Sequence, residues 1–272
     1  MTTCTDEDRY IAAGGQRIRV NIRRGTGVPL VLCNGIGASL DVLDPFVAEL
    51  DPAVTVIRFD VPGTGGSPAS VAPYGFPYLA WVLGRILTRL DVSVVDVLGL
   101  SWGGALAQQF AFQNPRRCRR LVLVATGTGA IMVPGRPHVL AKMLTPRRFS
   151  DPEYAASIAG ALYGGAARRH GNDIARLFSG QLHAGSKTGY LHQLLAGAVW
   201  TSLHALPAIR QQTLIVAGTD DPIVPVVNAR IMNRFLPHAA VHLHDGGHID
   251  LVTNAAGLAP VIETFLRIPG EP

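Results

Sequence analysis

Three observations predict an α/β fold with a mainly parallel, doubly wound sheet and a mostly helical cap inserted between core strands. Short Val/Leu/Ile-rich runs alternate with stretches of helical periodicity. The runs are nearly continuous in apolarity, as strands buried on both faces are. The alternation then stops between about Thr128 and Leu206 and resumes afterwards. In chain order, Ile18, Val20 and Ile22 alternate with polar neighbours after Gly14-Gly15, which reads as an N-terminal hairpin. Strands are expected at 29–33, 54–59, 94–100, 121–125, 213–217 and 240–243, and helices at 77–90, 103–112, 226–235 and 255–266. The core is accordingly 1–127 and 207–272. Residues 128–206, with helical patches, several Gly and Pro and no clear strand, form the cap. Such an insertion stands over the carboxyl ends of the strands, where doubly wound sheets bind ligands.

Composition narrows the function classes. The chain has 272 residues, 48% apolar and 16% charged, well below the ~25% charged residues of ordinary globular proteins, so intrinsic disorder is excluded. Mean hydropathy is +0.25, yet no run approaches the ~18 apolar residues of a spanning helix. The polar start MTTCTDEDRY has no apolar signal region, so a cytoplasmic protein is expected. Cys4, Cys33 and Cys118 follow no metal spacing; neither a disulfide framework, a metal nor a cofactor is expected. The cations are almost all Arg and concentrate between Val97 and Arg176, a basic stretch suited to an anionic surface or an acidic product. Nucleic acid is a poor fit, because the arginines come as scattered pairs without interleaved aromatics. Between Leu177 and Ile209 the only charge is Lys187, so that stretch is buried or meets something greasy.

The chemistry centres on Gly99-Leu100-Ser101-Trp102-Gly103, a G-x-S-x-G between an expected strand and an expected helix. That context turns a weak motif into a nucleophile elbow, with the serine hydroxyl raised above the sheet. The partners of such a serine follow in the order acid, then histidine. Asp220 and Asp221 stand just past the strand at 213–217; the fourth position of G-x-x-D-x-x-x-P selects Asp221, with Asp220 the alternative, and Asp245 reads as shaping its own turn. Among nine histidines, His248 follows the last strand on Asp245-Gly246-Gly247, a loop free enough to reach back to Ser101. A metal site from His242, His244 and His248 is the weaker reading, since no fourth ligand suggests itself. The backbone N–H groups of Ile36, in Asn34-Gly35-Ile36-Gly37, and of Trp102 are the expected oxyanion hole. Asp60-Val61-Pro62-Gly63-Thr64-Gly65-Gly66-Ser67 reads as a tight structural loop. Gly180-Gln181-Leu182-His183-Ala184-Gly185-Ser186-Lys187-Thr188 mimics a phosphate loop but lacks the preceding strand and the Gly-Lys pair.

These motifs, together with Ser101-Trp102-Gly103-Gly104-Ala105-Leu106-Ala107-Gln108-Gln109-Phe110 and the cap segments Gly129-Ala130-Ile131-Met132-Val133-Pro134-Gly135, Pro146-Arg147-Arg148, Leu162-Tyr163-Gly164-Gly165 and Trp200-Thr201-Ser202, carry a closer likeness. The chain resembles the intracellular medium-chain-length polyhydroxyalkanoate depolymerases of the α/β-hydrolase superfamily over roughly residues 15–267. The resemblance implies a serine hydrolase that cleaves ester bonds of a stored poly(3-hydroxyalkanoate), with Ser101, Asp221 and His248 as its triad. Met132, Val133, Met143, Leu162 and Trp200 are then expected to line or cover an apolar channel for alkyl pendants, and the basic stretch, Arg147 and Arg148 included, to meet a storage-granule coat. A general carboxylesterase or lipase, a 3-hydroxyacyl acyltransferase and a non-enzymatic granule-binding or receptor protein are the rival readings.

Overall fold

The computed structural model describes residues 6–179 and 185–268; Cys4 and positions 180–184 of the phosphate-loop mimic lie outside them. The chain runs β1 (Asp6–Ala13), β2 (Gln16–Arg23), β3 (Thr26–Cys33), α1 (Asp44–Glu49), β4 (Val54–Phe59), α2 (Phe76–Arg89), β5 (Val95–Leu100), α3 (Trp102–Gln113) and β6 (Cys118–Val124). There follow α4 (Pro137–Leu140), α5 (Pro152–Tyr163), α6 (Gly171–Ser179) and α7 (Lys187–Val199), then β7 (Gln212–Gly218), α8 (Val227–Phe235), β8 (Ala239–His244), α9 (Asp250–Thr253) and α10 (Ala255–Arg267). The eight strands among the described residues form one sheet in the order β1-β2-β4-β3-β5-β6-β7-β8. β1–β2 and β2–β4 are antiparallel, and every later pairing is parallel.

Both faces of the sheet are covered, which is why its strands read as apolar runs. Val31, Cys33, Val97, Leu121 and Leu123 pack with α2, α3 and α8 on one side. Leu30, Leu32, Leu98, Leu100, Val122 and Val124 pack with α1, α9 and α10 on the other, the period of two expected of strands. The strand order reverses at β3, which lies between β4 and β5. The crevice outside the carboxyl ends of β3 and β5 is therefore where a ligand belongs.

Between β6 and β7 the described residues carry helices and turns, closed at the base by an isolated bridge between Gly129 and Thr201. Ala130 N–H donates to Trp200 O (2.7 Å) and Ser202 N–H to Thr128 O (3.0 Å) there. Side-chain caps start two of the helices: Asp151 accepts from Tyr154 N–H and Ser186 from Gly189 N–H, each at 2.9 Å. Asp60, in the tight loop after β4, accepts from the amides of Leu40 (2.7 Å) and Gly66 (2.8 Å). Burial nonetheless pushes its carboxyl up to about 6. Among the described residues no helix is long and apolar enough to cross a membrane.

The basic stretch is largely tied into the fold. Arg119 pairs with the buried Asp96, Arg120 is itself buried against the carbonyls of Leu266 and Ile268, and Arg117 donates to carbonyls of Gly84 and Val92. Arg148 is buried as well. The two pairs 119–120 and 147–148 therefore contribute less to a surface charge patch than their place in the sequence implies.

Candidate active site

β5 is buried along its whole length and delivers Ser101 to the crevice in a strained conformation, φ 54° and ψ −118°. Neighbouring glycines make this turn fit. A Cβ on Gly103 would stand 2.1 Å from Cys33 O, and one on Gly104 would stand 2.4 Å from Thr126 Oγ1. The turn is further pinned by Ser101 N–H donating to Val124 O (2.9 Å) and Thr126 Oγ1 donating to Ser101 O (2.8 Å).

His248 Nε2 lies 2.8 Å from Ser101 Oγ, and His248 Nδ1 lies 2.8 Å from Asp221 Oδ2. The other carboxylate oxygen, Oδ1, accepts from Ile223 N–H (2.8 Å) and Val224 N–H (2.9 Å). With Oδ1 so occupied, Oδ2 is left to the imidazole, which fixes the proton on Nδ1 and leaves Nε2 as the acceptor for the serine. His248 N–H donates to Tyr163 O (2.7 Å), tying the histidine loop to the end of α5. Of the two adjacent acids, Asp221 is the one that reaches the imidazole. Asp220 instead accepts from Gly165 N–H (2.8 Å) and grips Arg168 with two bonds of 2.6 Å. Asp245 accepts from the Thr219 hydroxyl, at 3.3 Å. His242 and His244 stack on each other, and among the described residues no three His, Cys, Asp or Glu side chains gather as a metal site.

The loop after β3 is shaped by Asn34, which donates from Nδ2 to Ser39 O (2.6 Å) and accepts Gly35 N–H on Oδ1 (2.8 Å). Neither the Ile36 nor the Trp102 amide donates to another group of the protein among the described residues. Gln193, a fully buried amide on α7, joins the two halves of this region: it accepts Gly37 N–H on Oε1 and Trp102 Nε1–H on its carbonyl, both at 2.9 Å. Gln193 belongs to no motif in the sequence; its one signal there is a lone amide in a nearly uncharged helix.

A cavity of about 40 Å³ lies over Ser101 and His248. Of the five side chains expected to line an apolar channel, Met143 does so. Leu162 is wholly buried in the core cluster under α5. Trp200 donates from Nε1 to Gln109 (2.6 Å) and packs on Phe76. Met132 fills the space beside Gly127, and Val133, 41% exposed, is held through its backbone by Asn228. The apolar wall comes instead from Phe149, Tyr163, Leu177, Phe178 and Val252, with one cation, Arg148, among them.

A family model described as the alpha/beta hydrolase fold matches residues 28–255. A poly(3-hydroxyalkanoate) depolymerase of Ectopseudomonas oleovorans is 47% identical over 261 residues, 95% of this chain and 92% of that protein. A 2-hydroxy-6-oxo-2,4-heptadienoate hydrolase of Pseudomonas putida is 27% identical over 279 residues, with 95% of each chain covered. Among solved structures, the enol-lactonase of Burkholderia xenovorans superposes with a TM-score of 0.80 at 22% identity, over 96% of this chain and 100% of that one, a likeness of fold. The chain belongs to the α/β-hydrolase family, in the branch that includes poly(3-hydroxyalkanoate) depolymerase.

Proposed function

We propose that this protein is a serine hydrolase that cleaves the ester bonds of a poly(3-hydroxyalkanoate) with medium-chain pendants. The observation that carries the reading is the unbroken chain Ser101–His248–Asp221, with both links at 2.8 Å, in a sequence 47% identical to a depolymerase. His248 Nε2 takes the Ser101 proton as Oγ attacks the ester carbonyl carbon, and Asp221 balances the imidazolium. The carbonyl oxygen becomes negative and accepts from the amides of Ile36 and Trp102, donors of a kind worth ~10²–10³ in rate each. The bond to the alkoxy oxygen then breaks, and that oxygen leaves as a 3-hydroxyl with the proton from His248. Water, deprotonated by the same imidazole, attacks the acyl-enzyme and releases the acid with Ser101 restored.

The apolar wall of Met143, Phe149, Leu177 and Phe178 supports an alkyl pendant. Leu191, Leu195 and Val199, one stripe at i, i+4 and i+8 on α7, are 53%, 44% and 82% exposed and support contact with a granule surface. Ser101→Ala tests the reading. It is expected to abolish turnover of p-nitrophenyl octanoate and of polymer granules, and labelling by a fluorophosphonate, with an unchanged circular dichroism spectrum. Residual turnover above a hundredth of the parent's refutes the assignment.

A further inference from the structure

The ester chemistry above uses no guanidinium, yet Arg148 on the short turn Pro146–Phe149 lines the cavity and is only 3% exposed. Its planar fork is part-filled. Nη1 donates to the Tyr190 hydroxyl (2.9 Å) and to Thr145 O (3.3 Å), and Nη2 donates to Ile36 O (3.3 Å). The rings of Phe149 and Tyr190 flank the guanidinium, at 4.4 and 5.4 Å to their centroids. Its Nε–H is buried without an acceptor. None of the ion pairs among the described residues includes Arg148, whereas Arg147 and Arg168 each hold an aspartate. A buried guanidinium that faces only neutral acceptors is costly. The edge formed by Nε–H and Nη2–H is the one that grips a carboxylate with two parallel bonds.

Position identifies which carboxylate. Nη2 rests on the carbonyl of Ile36, the residue whose amide faces the developing oxyanion, so an anion held by Arg148 sits about one residue from the ester under attack. In a poly(3-hydroxyacyl) ester the free carboxyl belongs to the unit that supplies the alcohol of the last ester bond. Four bonds, about 5 Å when extended, separate its carbon from that ester's carbonyl carbon. We propose that Arg148 is the specificity-determining residue that binds this terminal carboxylate, setting the last ester over Ser101 so that the leaving group is a single 3-hydroxy acid. The inference rests on the depolymerase reading and deepens it: short acid-ended chains are preferred over capped ones.

The test compares the linear dimer of 3-hydroxyoctanoate as the free acid with its methyl ester, following cleavage of the internal ester. The parent protein is expected to favour the acid ten- to a hundredfold in kcat/KM, chiefly through KM, as charge-assisted bonds to a buried cation do. Arg148→Gln is expected to bring that ratio near one, and Arg148→Lys, which keeps the charge without the fork, to leave it intermediate. Each protein is its own reference, so partial loss of folded material cancels. A parent ratio near one, or a ratio retained in Arg148→Gln, overturns the proposal; if the Gln variant is insoluble, a Lys variant as selective as the parent does so. If the parent cleaves neither dimer, the depolymerase reading itself fails. Equal cleavage of both refutes the role of Arg148 alone.

Discussion

Asp221→Asn is the substitution for which the structure makes the sharpest forecast. Asp221 Oδ1 is held by two amides, Ile223 and Val224, at 2.8 and 2.9 Å, and both must keep an acceptor. The asparagine therefore keeps its oxygen there and turns its NH₂ toward His248 Nδ1, 2.8 Å away. Two donors cannot share that link, so the imidazole moves its proton to Nε2. Nε2 then donates to Ser101 Oγ instead of accepting from it, and the general base is lost with its position intact. A wrong tautomer of this kind costs about 10⁴ in kcat, or ~5 kcal/mol of barrier at ~1.36 kcal/mol per factor of ten. The assay is kcat/KM on p-nitrophenyl octanoate with thermal unfolding in parallel, and stability is expected to move by ~1 kcal/mol or less because no hydrogen bond of the loop is removed. A rate loss below tenfold in a folded variant refutes the reasoning. Asp220→Asn is the contrast. It weakens an ion pair whose partners are half exposed, worth at most ~1 kcal/mol. Because Arg168 holds the Asp220 carboxyl below its ordinary value, that contribution is present above the unfolded pKa near 4 and is lost as pH falls through the lowered folded one.

Two further outcomes are expected. Gly103→Ala puts a methyl 2.1 Å from Cys33 O and 2.5 Å from Asn34 O, both backbone atoms that cannot swing aside. Its urea midpoint should report a loss of about 3 kcal/mol, and a loss under about 1 kcal/mol contradicts the packing argument. Replacing Leu191, Leu195 and Val199 together by Ser removes the exposed apolar stripe on α7. Co-sedimentation with polymer granules and granule turnover are expected to fall at least tenfold while p-nitrophenyl octanoate turnover stays within twofold; equal losses on both substrates dismiss the stripe as a docking face.

How much of this was legible in the sequence depended on how local the determining physics was. The parallel strands were readable because burial on both faces demands near-continuous apolarity, and β4 begins and ends where its run does. β6 begins at Cys118, before its apolar run, because Arg119 and Arg120 occupy strand positions by reaching Asp96 and the C-terminal carbonyls, partners more than twenty residues away. α1, at six residues, is too short to show a period. α5 and α7 have little amphipathic contrast, so they read as helical patches and not as bounded elements. At the site, Ser101 and His248 stood out by motif and order, whereas Asp221 and Asp220 differ by one position and are separated by which amides and which arginine they meet.

The stretch between β6 and β7 shows the limit most clearly, because its sequence carries composition but not direction. Of five apolar residues there that were candidates for the cavity wall, Met143 faces it, while Leu162 is buried in the hydrophobic cluster and Trp200 bonds Gln109 on α3. Apolar side chains are interchangeable to a sequence reading, since packing and lining demand the same chemistry. Arginines are not interchangeable once partners are known. Arg117, Arg119, Arg120 and Arg168 spend their donors on carbonyls and carboxylates of the core, so their number in the sequence overstated the surface charge. Arg148 has the same local context as Arg147, one residue away, yet Arg147 lies on the surface with Asp151 and Arg148 is shut in beside the loop after β3 with a donor to spare. Among the described residues the buried Arg23 also keeps an Nε–H without an acceptor, but of the two it is Arg148 that lines the cavity over Ser101, where an acceptor brought by the substrate can meet it.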